Sequence, residues 1–196
     1  MEIACTILAG GLGTRMGGVR KAFLEVGGVR IIDRLLEACR PLFQEILVSC
    51  RKQEGFDLPG VTLVPDTYDA RSSLTGIQAG LAACRASHTF VTACDAPFLQ
   101  TGLVQRLLQQ AEPDADVVIP LKDDGYMEPL CAIYSKRCLP HIEAQLAAND
   151  YKVLNIFDKV RLKQVPVDLL RPGDPELLSF ESVNTPEELE AARKRL

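Results

Sequence analysis

The sequence predicts an α/β fold in which a single doubly wound, mostly parallel sheet carries helices on both faces. Three observations predict it. Short apolar runs of strand length alternate with segments that have apolar residues at helical spacing. The chain has 196 residues, enough for one domain of this type. Its composition, 47% hydrophobic and 24% charged, is that of a globular protein. We therefore expect residues 1–196 to form one domain.

The strand candidates are short runs rich in apolar and β-branched side chains. Along the chain they are residues 3–8, 45–50, 61–64, 89–93, 116–120, 131–134, 162–165 and 179–183. Helices are predicted for residues 31–38, 74–85, 102–110, 137–148 and 186–195. The alternation breaks once, after Asp123. In sheets of this class ligands bind outside the carboxyl ends of the strands, so polar residues directly after each strand are the candidate site.

Composition and charge exclude several kinds of partner. The formal net charge is −4, which gives no reason to expect a nucleic acid or an anionic membrane surface as a partner. No apolar run approaches the roughly 20 residues needed to span a bilayer. The N-terminal residues Met-Glu-Ile-Ala lack the basic region of a secretory signal. We expect a cytoplasmic protein.

The cysteines and histidines do not form a metal-binding pattern. There are seven cysteines, an odd number, and none forms a Cys-x-x-Cys pair. The only histidines, His88 and His141, lie outside ligand spacing from any cysteine pair. Since most of the cysteines fall in apolar runs, we expect buried, structural thiols and no zinc site.

Glycine and positive charge follow the first predicted strand. Residues 8–21 read Leu-Ala-Gly-Gly-Leu-Gly-Thr-Arg-Met-Gly-Gly-Val-Arg-Lys. Glycines allow backbone N–H groups to converge on an anion, and Arg15 and Lys21 can add charge-assisted hydrogen bonds to phosphate oxygens. A dinucleotide fingerprint does not fit, because Met16 occupies the place of its third glycine; a Walker A loop does not fit, because Val19 follows Gly18. The segment nevertheless predicts a nucleotide phosphate site.

This segment resembles the signature L-A-[AG]-G-x-x-x-R-M-G-x-x-K of nucleotidyltransferases with a GT-A-like, Rossmann-type fold. Within that group it is most similar to the molybdenum cofactor guanylyltransferases, whose pattern is L-A-G-G-x-x-x-R-M-G-G-x-D-K. Arg20 stands where that family usually has Asp. The resemblance implies transfer of GMP from GTP to the phosphate of molybdopterin, with release of pyrophosphate. It also implies Mg²⁺ as cofactor, and a molybdoenzyme or its chaperone as a partner for delivery.

The resemblance further implies which residues act. The nucleotide would bind at Leu8, Ala9, Gly10, Gly11, Lys21, Asp66 and Asp95. Catalysis would depend on Arg15, Lys21 and Asp95. Asp95 belongs to Cys-Asp-Ala-Pro-Phe at 94–98, similar to the family's C-D-x-P-[FY], where the aspartate holds Mg²⁺ and nucleotide. From the residues alone, one carboxylate at a strand end suits Mg²⁺, which takes few protein ligands and the rest from phosphates and water.

Two further segments carry candidates. Asp66 follows the strand predicted at 61–64 and matches a nucleotide-binding aspartate of the family, whereas we expect Asp69 to lie in a solvated turn. The segment 182–189 is similar to the family's N-[IV]-N-T-P-E-[DE]-L. There Thr185 and Glu188 predict a capping box that starts the last helix. Asn184 has no part in that cap, and the resemblance implies contact with the pterin acceptor.

Other functions stay open at this point. The run 10–15 also matches G-G-x-G-T-R of sugar-phosphate nucleotidyltransferases, which normally place Pro where Arg20 stands. Cytidylyltransferases usually have L-A-A-G where this chain has Gly10. Val48 replaces a nucleotide-contacting Asn of the guanylyl family, and Ser49 is the substitute we consider. A non-catalytic nucleotide or cofactor carrier is the alternative from another class.

Overall fold

The computed structural model describes residues 1–13 and 19–195. Its main sheet contains strands β1 Ile3–Leu8, β2 Ile46–Cys50, β3 Thr62–Pro65, β4 His88–Ala93, β5 Val117–Leu121, β6 Cys131–Ser135 and β7 Leu162–Pro166. Its α-helices are α1 Ile31–Cys39, α2 Ser73–Ala83, α3 Thr101–Gln109, α4 Leu139–Ala147 and α5 Pro186–Lys194. All of these elements were predicted, to within two residues at each end.

The sheet has the strand order β3-β2-β1-β4-β6-β5-β7. Strand β6 runs antiparallel to β4 and β5, whereas the other pairings are parallel. The predicted fold class is therefore confirmed, and the break after Asp123 is the direct connection from β5 to β6. Strand order reverses between β1 and β4, which is the place where open α/β sheets bind ligands.

The helices cover the sheet on both sides. Helices α1, α3 and α5 bury apolar residues with Cys5 and Ile7 of β1 on one face. Helices α2 and α4 do the same with Leu8 on the other face. This division follows from the pleat of β1, since alternate side chains point to opposite faces. Among the described residues, no helix has the length and apolar character needed to cross a membrane.

The strand predicted at residues 179–183 is wrong. Leu178–Phe180 forms a 3₁₀ turn, and the chain beyond it is irregular. The buried carboxylate of Asp174 explains the difference, because it accepts hydrogen bonds from the backbone N–H groups of Leu178 (3.0 Å) and Ser179 (2.8 Å). Those groups are thus satisfied locally instead of by a neighbouring strand.

All seven cysteines are free and buried, as predicted. Burial disfavours the thiolate, and it raises the pKa of Cys50 to about 11 and that of Cys138 to about 12. These thiols are therefore protonated at neutral pH and fill space in the core rather than act as nucleophiles.

Helix α2 packs directly on β1 through two glycines. A Cβ atom at Gly80 would lie 2.3 Å from Cγ2 of Thr6, and one at Gly76 would lie 3.0 Å from Cδ2 of Leu8. Real Cβ atoms do not approach that closely at position 80, so glycine is required for this helix-to-strand distance. The packing places the first turn of α2 beside the end of β1.

Replacing Gly80 by alanine should therefore destabilise the fold. The added methyl would meet the fully buried Thr6 side chain. Overpacking of this kind typically costs about 1–3 kcal/mol in the free energy of unfolding. Helix propensity alone would instead give a gain of up to about 1 kcal/mol. Urea denaturation of Gly80→Ala measures the net change in the free energy of unfolding. Ala82→Gly, at an exposed position of the same helix, is the control for helix propensity. An increase in the stability of Gly80→Ala would contradict the close packing.

Candidate functional site

A cleft of about 440 Å³ opens at the carboxyl ends of β1, β2 and β4. It lies at the reversal of strand order described above. In register, Leu8 of β1 pairs with Ala93 of β4 on one side and with Ser49 of β2 on the other. The residues that follow these three positions are therefore brought together. The cleft is lined by every residue predicted to bind the nucleotide: Leu8, Ala9, Gly10, Gly11, Lys21, Asp66 and Asp95.

The start of the glycine-rich segment is fixed by hydrogen bonds to both neighbouring strands. The N–H of Ala9 donates to the carbonyl of Ser49 at 2.8 Å, and the N–H of Cys94 donates to the carbonyl of Leu8 at 3.0 Å. These bonds extend the sheet past the last residue of β1. Gly10 and Gly11 therefore leave the sheet directly over the cleft. Arg15, predicted to act in catalysis, lies outside the described residues.

Lys21 is the first residue of a short 3₁₀ turn, Lys21–Phe23. The preceding residue, Arg20, fixes the position of this turn. The Arg20 guanidinium donates to the carbonyl of Glu54 and lies 5.9 Å above the ring centres of Phe23 and Phe56. Those two rings are themselves in contact, with centroids 4.8 Å apart. Arg20, the departure from the family pattern, thus anchors the turn on residues 54–56.

Two of the predicted residues, Asn184 and Asp95, lie close to the ammonium of a third, Lys21. Lys21 Nζ donates to Oδ1 of Asn184 at 2.6 Å and lies 3.7 Å from Oδ2 of Asp95. The Asp95 side chain keeps 26% of its surface exposed, so its carboxylate stays open to the cleft. Burial raises the pKa of the Asp95 carboxyl, and the Lys21 charge opposes part of that rise. Lys21 and Asp95 therefore place a cation and a partly buried carboxylate side by side at the cleft.

Asp66 forms the opposite wall of the cleft. Its Oδ1 accepts a hydrogen bond from the Ser49 hydroxyl at 2.6 Å. Its Oδ2 lies where a Cβ on Gly10 would be only 2.8 Å away. Asp69 is fully exposed, as predicted, and its carbonyl accepts a hydrogen bond from Arg51 at 2.7 Å. Glycine at position 10 thus leaves room for the Asp66 carboxylate beside the glycine-rich segment.

Val48 and Ser49 face opposite sides of β2. Val48 is fully buried in the core with Ile7, whereas the Ser49 hydroxyl reaches the cleft and Asp66. Of these two positions, Ser49 is the one from which a side chain can meet a nucleotide.

The sequence prediction assigned no site residue to the segment that leads into α2. Arg71, Ser72 and Ser73 line the cleft, and the Ser72 hydroxyl caps the helix by accepting the N–H of Thr75 at 3.2 Å. The order Arg-Ser-Ser-Leu-Thr indicates a helix start. Only the close packing of Gly76 and Gly80 on β1 shows that this start reaches the cleft.

The donor set suits a hard divalent cation that is shared with a ligand. Within residues 1–13 and 19–195, no cluster of three or more His, Cys, Asp or Glu residues could hold a metal alone. Asp95 offers carboxylate oxygens at the cleft surface, and Mg²⁺ commonly takes one or two such oxygens with phosphate and water as the remainder. The residues present therefore fit Mg²⁺ bound together with a nucleotide.

Comparison with known proteins agrees with this architecture. The crystal structure of molybdopterin-guanine dinucleotide biosynthesis protein A from Archaeoglobus fulgidus superposes with a TM-score of 0.84 at 27% identity, and the match covers 100% of this chain and 98% of that one. The molybdenum cofactor guanylyltransferase of Desulfosudis oleivorans is 38% identical over 186 residues, which is 95% of this chain and 92% of that protein.

A second relative gives a similar result. The probable molybdenum cofactor guanylyltransferase of Pelotomaculum thermopropionicum is 36% identical over 193 residues, 98% of this chain and 93% of that protein. Residues 5–165 match the family profile described as the MobA-like NTP transferase domain. Because that match spans most of the chain, from within β1 to within β7, the protein belongs to the family of MobA-like NTP transferases.

Proposed function

We propose that the protein transfers GMP from GTP to the phosphate of molybdopterin, releasing pyrophosphate and forming the guanine dinucleotide form of the molybdenum cofactor. One observation carries the proposal. A single cleft brings together Gly10, Gly11, Lys21, Asp66 and Asp95, in a chain 38% identical to a molybdenum cofactor guanylyltransferase. Such a cleft offers backbone donors, a cation and carboxylates for one nucleoside triphosphate.

The reaction needs positioning and charge stabilisation more than acid or base chemistry. An oxygen of the acceptor phosphate attacks the α-phosphorus of GTP in line. As that bond forms, the bond from the α-phosphorus to the bridging oxygen breaks, and pyrophosphate leaves with its electrons. The acceptor phosphate is already ionised at neutral pH, so no residue has to remove a proton. Negative charge builds on the phosphoryl oxygens, where cations contribute most.

The predicted site residues divide this task. Gly10 and Gly11 line the cleft, where their N–H groups would receive phosphate oxygens, and the Lys21 ammonium would hold the α-phosphate. Mg²⁺ on Asp95 would neutralise charge on the triphosphate. We assign the departing pyrophosphate to Arg15. A cytoplasmic location and delivery to a molybdoenzyme or its chaperone stay predictions. So does the pterin contact that the resemblance implies for Asn184, although its bond to Lys21 favours a role in the nucleotide step.

Asp66 suits guanine as the base. A carboxylate only accepts hydrogen bonds, and the guanine ring presents donors at N1 and at the neighbouring exocyclic amine. Ser49 holds one oxygen of Asp66, which leaves the other oxygen beside Gly10 for a ligand. This wall of the cleft therefore supports GTP as the donor.

Nucleotide preference is the first test of the proposal. We expect GTP, among GTP, CTP, ATP and UTP, to raise the thermal unfolding temperature most, and Mg²⁺ to increase the effect. A ligand at 100 times its dissociation constant adds about 2.7 kcal/mol to the stability of the folded state. A preference for CTP or UTP would support a cytidylyl or sugar-phosphate transferase instead. No effect with any nucleotide would support a non-catalytic protein.

Replacing Asp95 by asparagine should remove most of the turnover while the fold is kept. The amide has nearly the same shape, and the Asp95 carbonyl that accepts the N–H of Val183 at 2.7 Å is unchanged. Loss of one such charged group typically lowers kcat by about 10²–10³. Pyrophosphate release measures the rate. Asp69→Asn, the same substitution at an exposed aspartate, is the matched control. A turnover that survives in Asp95→Asn would contradict the role of this carboxylate.

Replacing Gly10 by alanine should weaken the preference for GTP. The new Cβ would stand 2.8 Å from Oδ2 of Asp66 and would displace that carboxylate. Loss of one hydrogen bond to the base corresponds to about a tenfold fall in the kcat/KM ratio of GTP over CTP. Gly11→Ala is the control, because a Cβ there has no neighbour within 4 Å among the described residues. Equal effects of the two variants would contradict a role for Asp66 in selecting the base.

A further inference from the structure

We infer that Asn184 is a positioning residue for Lys21, and that it acts on the nucleotide step rather than on the acceptor. This inference rests on the proposed function, since it concerns the same cleft. The residue lies beyond the part of the chain that matches the family profile, residues 5–165. Its side chain nevertheless reaches the Lys21 ammonium in the glycine-rich segment, with Oδ1 2.6 Å from Nζ.

The two distances around Lys21 carry the argument. Lys21 Nζ lies within hydrogen-bond distance of Oδ1 of Asn184, at 2.6 Å. The 3.7 Å separation from Asp95 is an ion pair without a hydrogen bond. Asn184 thus holds the ammonium away from direct contact with the carboxylate. Without Asn184, the nearest strong acceptor for Lys21 would be Asp95 itself.

A neutral acceptor is the useful partner at this place. An ammonium has three donors, and the bond to Asn184 uses one of them. The amide does not cancel the positive charge, and it leaves two donors for phosphate oxygens. If Lys21 closed onto Asp95 instead, each charge would neutralise the other, and both would be less available to a triphosphate and its cation.

The amide is held in the orientation that this role requires. Its Nδ2 donates to Oγ of Ser182 at 2.8 Å, which directs Oδ1 toward Lys21. The backbone is fixed on both sides. The N–H of Asn184 donates to Oε2 of Glu188 at 2.6 Å, and the N–H of the buried Val183 donates to the carbonyl of Asp95 at 2.7 Å. The same Glu188 carboxylate completes the capping box of α5 with Thr185. The helix start therefore sets the position of the lysine.

Nucleotide binding without acceptor tests the inference. Calorimetry on the full chain would use the nucleoside triphosphate that binds the wild type most tightly, with Mg²⁺ present. We expect Asn184→Ala to weaken that binding about tenfold, and Ser182→Ala to weaken it less. Asn155→Ala, an exposed amide outside the cleft, is the matched control and should leave binding unchanged. Thermal unfolding of each variant confirms that the fold is intact.

A double-mutant cycle and steady-state kinetics distinguish positioning from other roles. In a Lys21→Met background the effect of Asn184→Ala should disappear, because the group that it positions is gone. In the single variant we expect kcat to fall and the KM of the acceptor to change by less than about twofold. Additive effects in the cycle, or a raised acceptor KM with unchanged nucleotide binding, would overturn the inference.

The failure of the proposed function gives a different pattern. If CTP or UTP binds best, the guanine assignment is wrong, but the coupling of Asn184 with Lys21 is still measured with that nucleotide, because Lys21 meets phosphates and not the base. If no nucleotide binds the wild type, both the proposed function and the role of Asn184 are overturned.

Discussion

The parallel pairing of β1 with β4 decides where chemistry can take place in this protein. Leu8 and Ala93 stand in register at the end of the two strands, so Gly10 and Asp95 emerge beside each other although they are far apart along the chain. The strand order reverses there, at the place where open α/β sheets bind ligands. The positions of Gly10 and Asp95 both depend on that one register.

The cleft places opposite charges close together without letting them cancel. Partial burial works against a charged Asp95, and Lys21 at 3.7 Å works in its favour. A direct salt bridge would satisfy both groups but would leave little for a ligand. Asn184 prevents that contact by accepting from Lys21 at 2.6 Å. The result is a pair of charges whose hydrogen-bonding capacity remains directed at the cleft.

Local patterns predicted much of this structure, because strands, helices and caps depend on nearby residues. Strands β1 and β4 and the capping box at Thr185 are examples of structure that local patterns predicted. The strand prediction for residues 179–183 failed because the Asp174 carboxylate accepts the hydrogen bonds of nearby backbone N–H groups. In a strand, a neighbouring strand would accept them. The bond between Lys21 and Asn184 joins distant segments, and no spacing in the sequence encodes its length.

The glycine at position 10 of the family signature has a structural reason that the sequence alone does not reveal, namely its proximity to Asp66. The proposed function places two demands on this position: a backbone that approaches phosphate closely, and space for Oδ2 of Asp66, 2.8 Å from where a Cβ would stand. The first demand tolerates alanine in related cytidylyltransferases, which usually have L-A-A-G. The second does not, because the carboxylate is tied to Ser49 at 2.6 Å. In the proposed function this glycine would connect phosphate binding to base selection, since the same missing methyl group leaves space at both walls of the cleft.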